Sequence, residues 1–227
     1  LSFVSKIRVI FFDAAGTLIG LPRGVAHHYC EVAARHGLEL DAQATTEAFR
    51  MTWRDMPAPE GTRARRVDDD RGWWEEFVHR VLDKCAVPRR GEFDRRAYFA
   101  ELYDEFTKPG VWEAFPEVSE VLVRLAERYE LGIISNFDGR LRTVLDELKL
   151  TPLFRSVVIS SEVGVDKPDP WIFEEALRQA GVQAHEALHV GDEPAADWEG
   201  AEKAGLHVFR LKRPELTLEN LEKVLDR

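Results

Sequence analysis

Two cysteines in 227 residues, Cys30 and Cys85, are too few for a disulfide framework or a four-ligand zinc site. They are expected to be buried thiols in a reducing cytoplasm. Positive charge is also scarce: 31 Lys and Arg stand against 41 Asp and Glu, a formal net charge of −10. Nucleic acid and anionic membranes both require a cationic footprint, so neither is an expected partner. No apolar run reaches the roughly 20 residues a membrane-spanning helix needs. The N-terminal run VIFF is short and leads straight into Asp13, so it reads as a strand rather than as part of a signal peptide. Internal repeats are absent. What remains, 44% apolar and 32% charged, is the balance of a soluble globular protein. The length fits one domain, or one domain with a modest insert. The composition says nothing about oligomeric state.

The run IRVIFF is continuously apolar and rich in strand formers, the mark of a strand buried on both faces. DAAGTL follows, where Gly16 permits a tight turn, and then Gly20, Pro22 and Gly24 punctuate the chain. From about 25 to 108 the spacing predicts helices only, with Asp41 capping one through Met56 and a loop from Pro57 to Asp70. After Pro109 and Gly110 the pattern changes. Helical stripes such as Val118, Val121, Leu122 and Leu125 alternate with the short strands LGIISN, SVVIS, ALHVGD and LHVFRL, and a C-terminal helix begins near Thr217. Such alternation predicts an α/β fold with a doubly wound parallel sheet. The helical block interrupts it once. The expected organisation is therefore a core of residues 1–19 and 109–227 with a helical cap domain at 20–108 inserted into it.

In an open parallel sheet, ligands bind beyond the carboxyl ends of the strands. Those ends carry Asp13, then Ser135 and Asn136, then Asp192 and Glu193, with Lys167 in a nearby DKPDP loop. A single aspartate after an apolar strand is commonly a cap or turn residue. The combination of two carboxylates, a hydroxyl and a lysine suggests more: a hard cation such as Mg²⁺ holding a phosphate, since hard cations prefer oxygen ligands.

FFDAAGTL, IISN, DKP and HVGDEPAAD, in that order, resemble the four signature motifs of the haloacid dehalogenase-like (HAD) hydrolase superfamily. The resemblance spans essentially the whole chain and implies a Rossmann-like core with a helical cap. The wording ISNFDGRL, SSEVGVDKPDPWIF and LHVGD is most similar to a branch related to the rhythmically expressed gene product family. By this resemblance Asp13 is the nucleophile that forms an aspartyl-phosphate. Ser135 binds the phosphoryl group, and Asn136 shapes the loop beside it. Lys167 orients the nucleophile and offsets transition-state charge. Asp192 holds Mg²⁺ together with Asp13, and Asp197 reaches the metal through water. The backbone carbonyl of Ala15 is a further metal ligand, and Asn136, Thr17 and Arg23 are candidate substrate contacts. The implied substrate is a small phosphorylated metabolite.

One position departs from the pattern. Phosphatases of this family carry a second aspartate two residues after the nucleophile, as general acid and base; here that position is Ala15. A positioned acid or base typically contributes about 10²–10⁴-fold. Three enzymatic readings follow. The leaving group needs no proton, or the substrate or cap supplies one, or the chemistry is that of the phosphonoacetaldehyde hydrolase branch, with Lys84 or Lys108 as a Schiff-base lysine. The metal-free dehalogenase reading is disfavoured by the paired acids Asp192 and Asp197. A fourth reading is a phospholigand- or partner-binding protein without turnover.

Several further residues have plain structural readings beside functional ones. His27 and His28 suit proton transfer by their ordinary pKa but read as solvated or capping residues. The basic run 63–66 and the acidic run beginning at Asp68 read as a self-compensating, water-exposed loop. Trp73 and Trp74 read as packing residues with one possible substrate platform, and Trp171, Trp198 and His189 read as structural.

Overall fold

The structure is a computed structural model that describes residues 6–85 and 93–226. The chain forms two compact units, one of Leu1–Gly20, Glu60–Asp69 and Glu113–Arg227, the other of Leu21–Pro59 and Asp70–Trp112.

In the first unit the strand-forming run at the N-terminus becomes β1 (Val9–Phe12), every residue of which is buried. A strand apolar on both faces must lie inside a sheet rather than at its edge. Here β1 pairs in parallel with β4 (Glu130–Ser135) on one side and β6 (Ala187–Gly191) on the other. The edge strands β5 (Ser156–Ile159) and β7 (His207–Arg210) complete a five-stranded sheet of order β5-β4-β1-β6-β7. Phe12 lies level with Ile133 and Val190. That register makes β1, β4 and β6 end within a residue or two of one another, so Asp13, Ser135 and Asp192 emerge side by side.

Helices flank this sheet. The predicted stripe Val118, Val121, Leu122 and Leu125 is the buried face of α5 (Val118–Ala126). Ile172, Phe173, Ala176 and Leu177 are that of α8 (Pro170–Ala180). The short α7 (Ser160–Val163) follows β5 directly, α6 (Arg140–Glu147) follows β4, α9 (Gly200–Lys203) precedes β7, and α10 (Leu218–Leu225) is the C-terminal helix. One small element was not foreseen. β2 (Ile19–Gly20) and β3 (Glu113–Ala114) form a two-stranded antiparallel ribbon at the chain's first and last crossings between the units. Two-residue strands carry no periodicity by which a sequence could announce them.

Among the described residues the second unit holds four helices: α1 (Val25–Arg35), α2 (Ala42–Asp55), α3 (Arg71–Lys84) and α4 (Arg95–Glu105). Asp41 caps α2 as expected, its carboxylate accepting from Ala44 N at 2.7 Å, and Asp94 caps α4 in the same way. Tyr29, Val32, Phe77, Val81, Tyr98 and Leu102 form its core. Trp73 and Trp74 both pack partly buried against it. Cys30 and Cys85 are half-buried free thiols, less enclosed than expected. The helix expected through 86–92 lies outside the described residues. Among the described residues no helix is long and apolar enough to cross a membrane.

The insert departs from its expected outline in its middle and at its end. Residues 109–112 belong with the helices, and 60–69, expected as a loop of the insert, belong with the sheet. The basic run there is not wholly solvated: Arg66 is buried and pairs with Asp166 at 2.6 Å.

Phe173 is completely enclosed in the core beside the sheet. Replacing it with alanine removes a full aromatic side chain and leaves a cavity, so Phe173→Ala is expected to cost about 3–5 kcal/mol in folding free energy. Urea denaturation followed by circular dichroism measures this directly; a loss below 1 kcal/mol would contradict the packing described.

Candidate active site

The nucleophile candidate stands where β1 runs out. Asp13 is buried, and its Oδ1 accepts from the Lys167 ammonium at 2.7 Å and from Ser135 Oγ at 3.2 Å. Both donors fall on the same oxygen, which leaves Oδ2 for other chemistry. The turn that follows is tight: Gly16 N donates to Ile19 O at 2.8 Å, and Gly16 has φ +91°. A Cβ on Gly16 would lie 2.5 Å from Asp192 Oδ2, so only glycine lets this turn and the Asp192 carboxylate coexist.

Asp192, immediately after β6, is fixed by Thr17, whose Oγ1 donates to its Oδ1 at 2.8 Å. Thr17 is fully buried. Its carbonyl in turn accepts from Arg213 at 2.8 Å, and Arg213 also pairs with Glu117 at 2.7 Å. Arg213 thus braces the nucleophile turn from the segment after β7, a function that nothing in its sequence surroundings signals.

Lys167 sits between two acids. Its ammonium donates to Asp13 and, at 2.5 Å, to Asp197 Oδ1. Asn136 holds its backbone on both sides: Asn136 Nδ2 donates to Lys167 O at 2.9 Å, and Lys167 N donates to Asn136 Oδ1 at 2.7 Å. The Asn136 amide is therefore committed to presenting Lys167. Asp197 lies on a wide π-helical turn (Pro194–Glu199) in which Trp198 N reaches back five residues to Glu193 O. Its Oδ2 accepts from Glu193 N at 3.0 Å, and its Oδ1 is also 3.0 Å from His189 Nε2. His189, read from the sequence as structural, is wholly buried against this carboxylate. Alternation on a strand could place it inside but could not name its partner. Burial lowers its pKa, and among the described residues its Nδ1 has no hydrogen-bond partner. The neutral ring therefore carries its proton on Nε2, facing Asp197.

Charge and enclosure oppose each other here. Burial pushes Asp13 up to about 6; Lys167 pulls it down, while the neighbouring Asp197 and Asp192 charges add to the rise. Burial likewise raises Asp192. For Asp197 burial also pushes upward, but the Lys167 ammonium and the His189 hydrogen bond win and hold it well below the usual carboxylate range. Lys167 is raised despite its burial, by the same two carboxylates.

Asp13, Asp192 and Asp197 offer oxygens within 4.8 Å of one another. An all-oxygen, acidic donor set fits a hard divalent cation, whose charge would offset the mutual repulsion of these carboxylates. Both Asp197 oxygens already accept hydrogen bonds, so Asp13 and Asp192 are the better direct ligands.

Ala15 is exposed on the nucleophile turn and brings no acid. Arg23, His28, Lys84 and Lys108 belong to the helical unit. The Arg23 guanidinium lies 2.9 Å from His27 Nε2. His28 is buried there, its Nδ1 3.5 Å from Glu105. Lys108 is paired with Glu105 at 2.8 Å, and Lys84 is exposed at the end of α3.

The profile of haloacid dehalogenase-like hydrolases matches residues 7–205, and the chain belongs to that family. Haloacid dehalogenase-like hydrolase domain-containing protein 3 of Mus musculus is 33% identical over 207 residues, 90% of this chain and 81% of the relative. The rhythmically expressed gene 2 protein of Drosophila melanogaster is 28% identical over 218 residues, 90% of this chain and 82% of the relative. The magnesium-bound HAD-fold protein YfnB of Bacillus subtilis superposes with a TM-score of 0.79 at 17% identity, covering 97% of this chain and 99% of its own, which shows the shared fold. The expected α/β core and family are thereby met.

A raised carboxyl makes a signed prediction for the metal-free protein. Between about pH 4, where an unfolded aspartate ionises, and about 6, where Asp13 does, the folded state retains a proton that the unfolded state has released. Stability contributed by Asp13 is full below that window and is lost as pH rises through it. Urea midpoints of wild-type protein relative to Asp13→Asn should therefore fall from pH 4 to 6.5, and the decline should flatten on adding Mg²⁺. A difference that rises with pH would contradict the assignment.

Proposed function

We propose that the chain is a Mg²⁺-dependent phosphohydrolase acting on small phosphorylated metabolites through a covalent aspartyl-phosphate on Asp13. The observation that carries this reading is the Asp13 carboxylate: buried at a strand end, held on one oxygen by Lys167 and Ser135, and beside Asp192. Oδ2 attacks phosphorus, an O–P bond forms, and the bond to the leaving group breaks with its electron pair going to that group. Water then attacks the phosphorus. Phosphate leaves with both protons of that water, and the Asp13 carboxylate is restored. Asp13, Asp192 and the Ala15 carbonyl would hold Mg²⁺ directly and Asp197 through water; bound there, the ion would supply the positive charge that neutralises the clustered acids and the phosphoryl group. Lys167 offsets charge on the transferring group, and Ser135 turns from Asp13 to the phosphoryl oxygens. Thr17 and Asn136 serve by holding Asp192 and Lys167.

Ala15 narrows the substrate class. Without an acid at that position the turn after Asp13 cannot protonate the leaving group, which suits acyl phosphates, anhydrides and aryl esters, or a leaving group whose proton is supplied by the substrate or the cap. Two neighbouring chemistries fit less well. A metal-free dehalogenase has no use for the Asp192 and Asp197 pair. A phosphonate hydrolase needs a Schiff-base lysine, and neither Lys84 nor Lys108 lies in a recognisable motif of that branch. Ala15 does favour a second reading, a phospholigand-binding protein that retains its ligand without turning it over.

The test uses acetyl phosphate and p-nitrophenyl phosphate with Mg²⁺. Turnover that Asp13→Asn or chelation abolishes supports the enzyme. Ligand retention that survives Asp13→Asn, with no turnover of either compound, supports the binding protein. Ala15→Asp is expected to raise hydrolysis of an alkyl monoester by about 10²-fold or more, while hardly changing that of acetyl phosphate. Equal effects on both would show that the missing acid is not the limiting defect.

A further inference from the structure

Residues 60–69 leave the helical insert and return to it, yet pack with the sheet. The chain therefore passes between its two units four times rather than twice. The segment is fastened to the two loops that present Lys167 and Asn136. Thr62 N donates to Gly164 O and Arg66 N to Ser161 O, each at 2.8 Å. Asp69 accepts from Gly139 N at 2.8 Å through Oδ2 and from Ser161 Oγ at 2.5 Å through Oδ1. Gly164 is so close that a Cβ there would lie 2.0 Å from Ala64 O. Centrally, the buried Arg66 guanidinium donates to Asp166 Oδ2 at 2.6 Å, with side chains only 7% and 15% exposed.

Asp166 immediately precedes Lys167. A buried, charge-assisted pair fixes its partner's backbone far more firmly than a surface pair, because neither ion has water to fall back on. Lys167 is thus anchored from two sides, through Asp166 to Arg66 and through its own backbone to Asn136. We propose that Arg66 is a positioning residue for Lys167: through Asp166 it holds the loop so that the ammonium reaches Asp13. This rests on the reading of Lys167 as a functional cation given above. The group touches no reacting atom, so its effect falls on the alignment of the ammonium, where a displacement near 1 Å can cost about 10²-fold.

The experiment compares Arg66→Ala, Arg66→Lys, Asp166→Asn and Lys167→Met with wild type. Acetyl phosphate and Mg²⁺ serve as probe, well below each melting midpoint. Amide hydrogen exchange of the peptide covering 160–168 is followed in parallel. Arg66→Ala is expected to lower kcat about 10–100-fold, leave KM within about twofold, and speed exchange in that peptide. Arg66→Lys should recover most of kcat. Asp166→Asn should act in the same direction as Arg66→Ala, and it serves where Arg66→Ala does not fold. Wild-type kcat in Arg66→Ala beside a loss in Lys167→Met would overturn the positioning role while keeping the function. Wild-type kcat in Lys167→Met would instead remove the reading of Lys167 on which the role rests. Should wild-type protein show no turnover that depends on Asp13, that reading falls too, and unchanged exchange at 160–168 in Arg66→Ala would overturn the anchoring itself.

Discussion

A lysine ammonium shared by two carboxylates at a site that water barely reaches is the constraint around which the first unit is arranged. Taken alone, burial would drive Asp13, Asp197 and Lys167 toward their neutral forms. Together they stay poised, because one cation serves two anions at hydrogen-bonding distance. Much of the surrounding detail serves to keep that lysine in place. Asn136 clamps its backbone, His189 and the Glu193 amide hold Asp197, and the segment 60–69 fastens the loop just before it. A charge cluster of this kind is costly to assemble and is not a source of stability. Its presence points to a task.

The task is narrowed by what the cluster lacks. Asp13 has a neighbour to orient it, a neighbour to balance its charge and a set of oxygens suited to a dication, but the position that carries a proton donor in related phosphatases is Ala15. On the function proposed above, the residues for forming a covalent intermediate are present, while an acid on the turn after Asp13 to help a poor leaving group depart is not. This asymmetry sets the substrate class proposed here. It also makes proton supply the property that separates a working enzyme of this design from a binding protein of the same shape.

The sequence and the structure agree most closely where a local rule had a single outcome. A run apolar on both faces can only be an interior strand, and β1 is the central one. Asp41 before a helical stripe is a cap, and it caps. Strand ends in a parallel sheet converge, and Asp13, Ser135 and Asp192 do. Agreement weakens where the outcome depends on partners distant along the chain. The run RARR followed by acids looks self-compensating because charge arithmetic over neighbours balances, yet Arg66 finds its ion in Asp166, a hundred positions away. His189 looked like any strand residue. Arg213 and the ribbon of β2 and β3 left no trace, since neither a lone arginine nor a two-residue strand has a pattern.

By itself, then, the amino-acid order determined the class of fold, the order of its elements and the residue types gathered at the strand ends, because apolar periodicity and parallel-sheet geometry leave little choice once the alternation is set. Only the tertiary structure decided which oxygen of Asp13 is occupied, that Thr17 and Asn136 act as holders, and that part of the insert lies with the sheet. Those outcomes depend on distances between groups far apart in the chain. Such distances follow from the packing of whole elements, and no short stretch of sequence contains them.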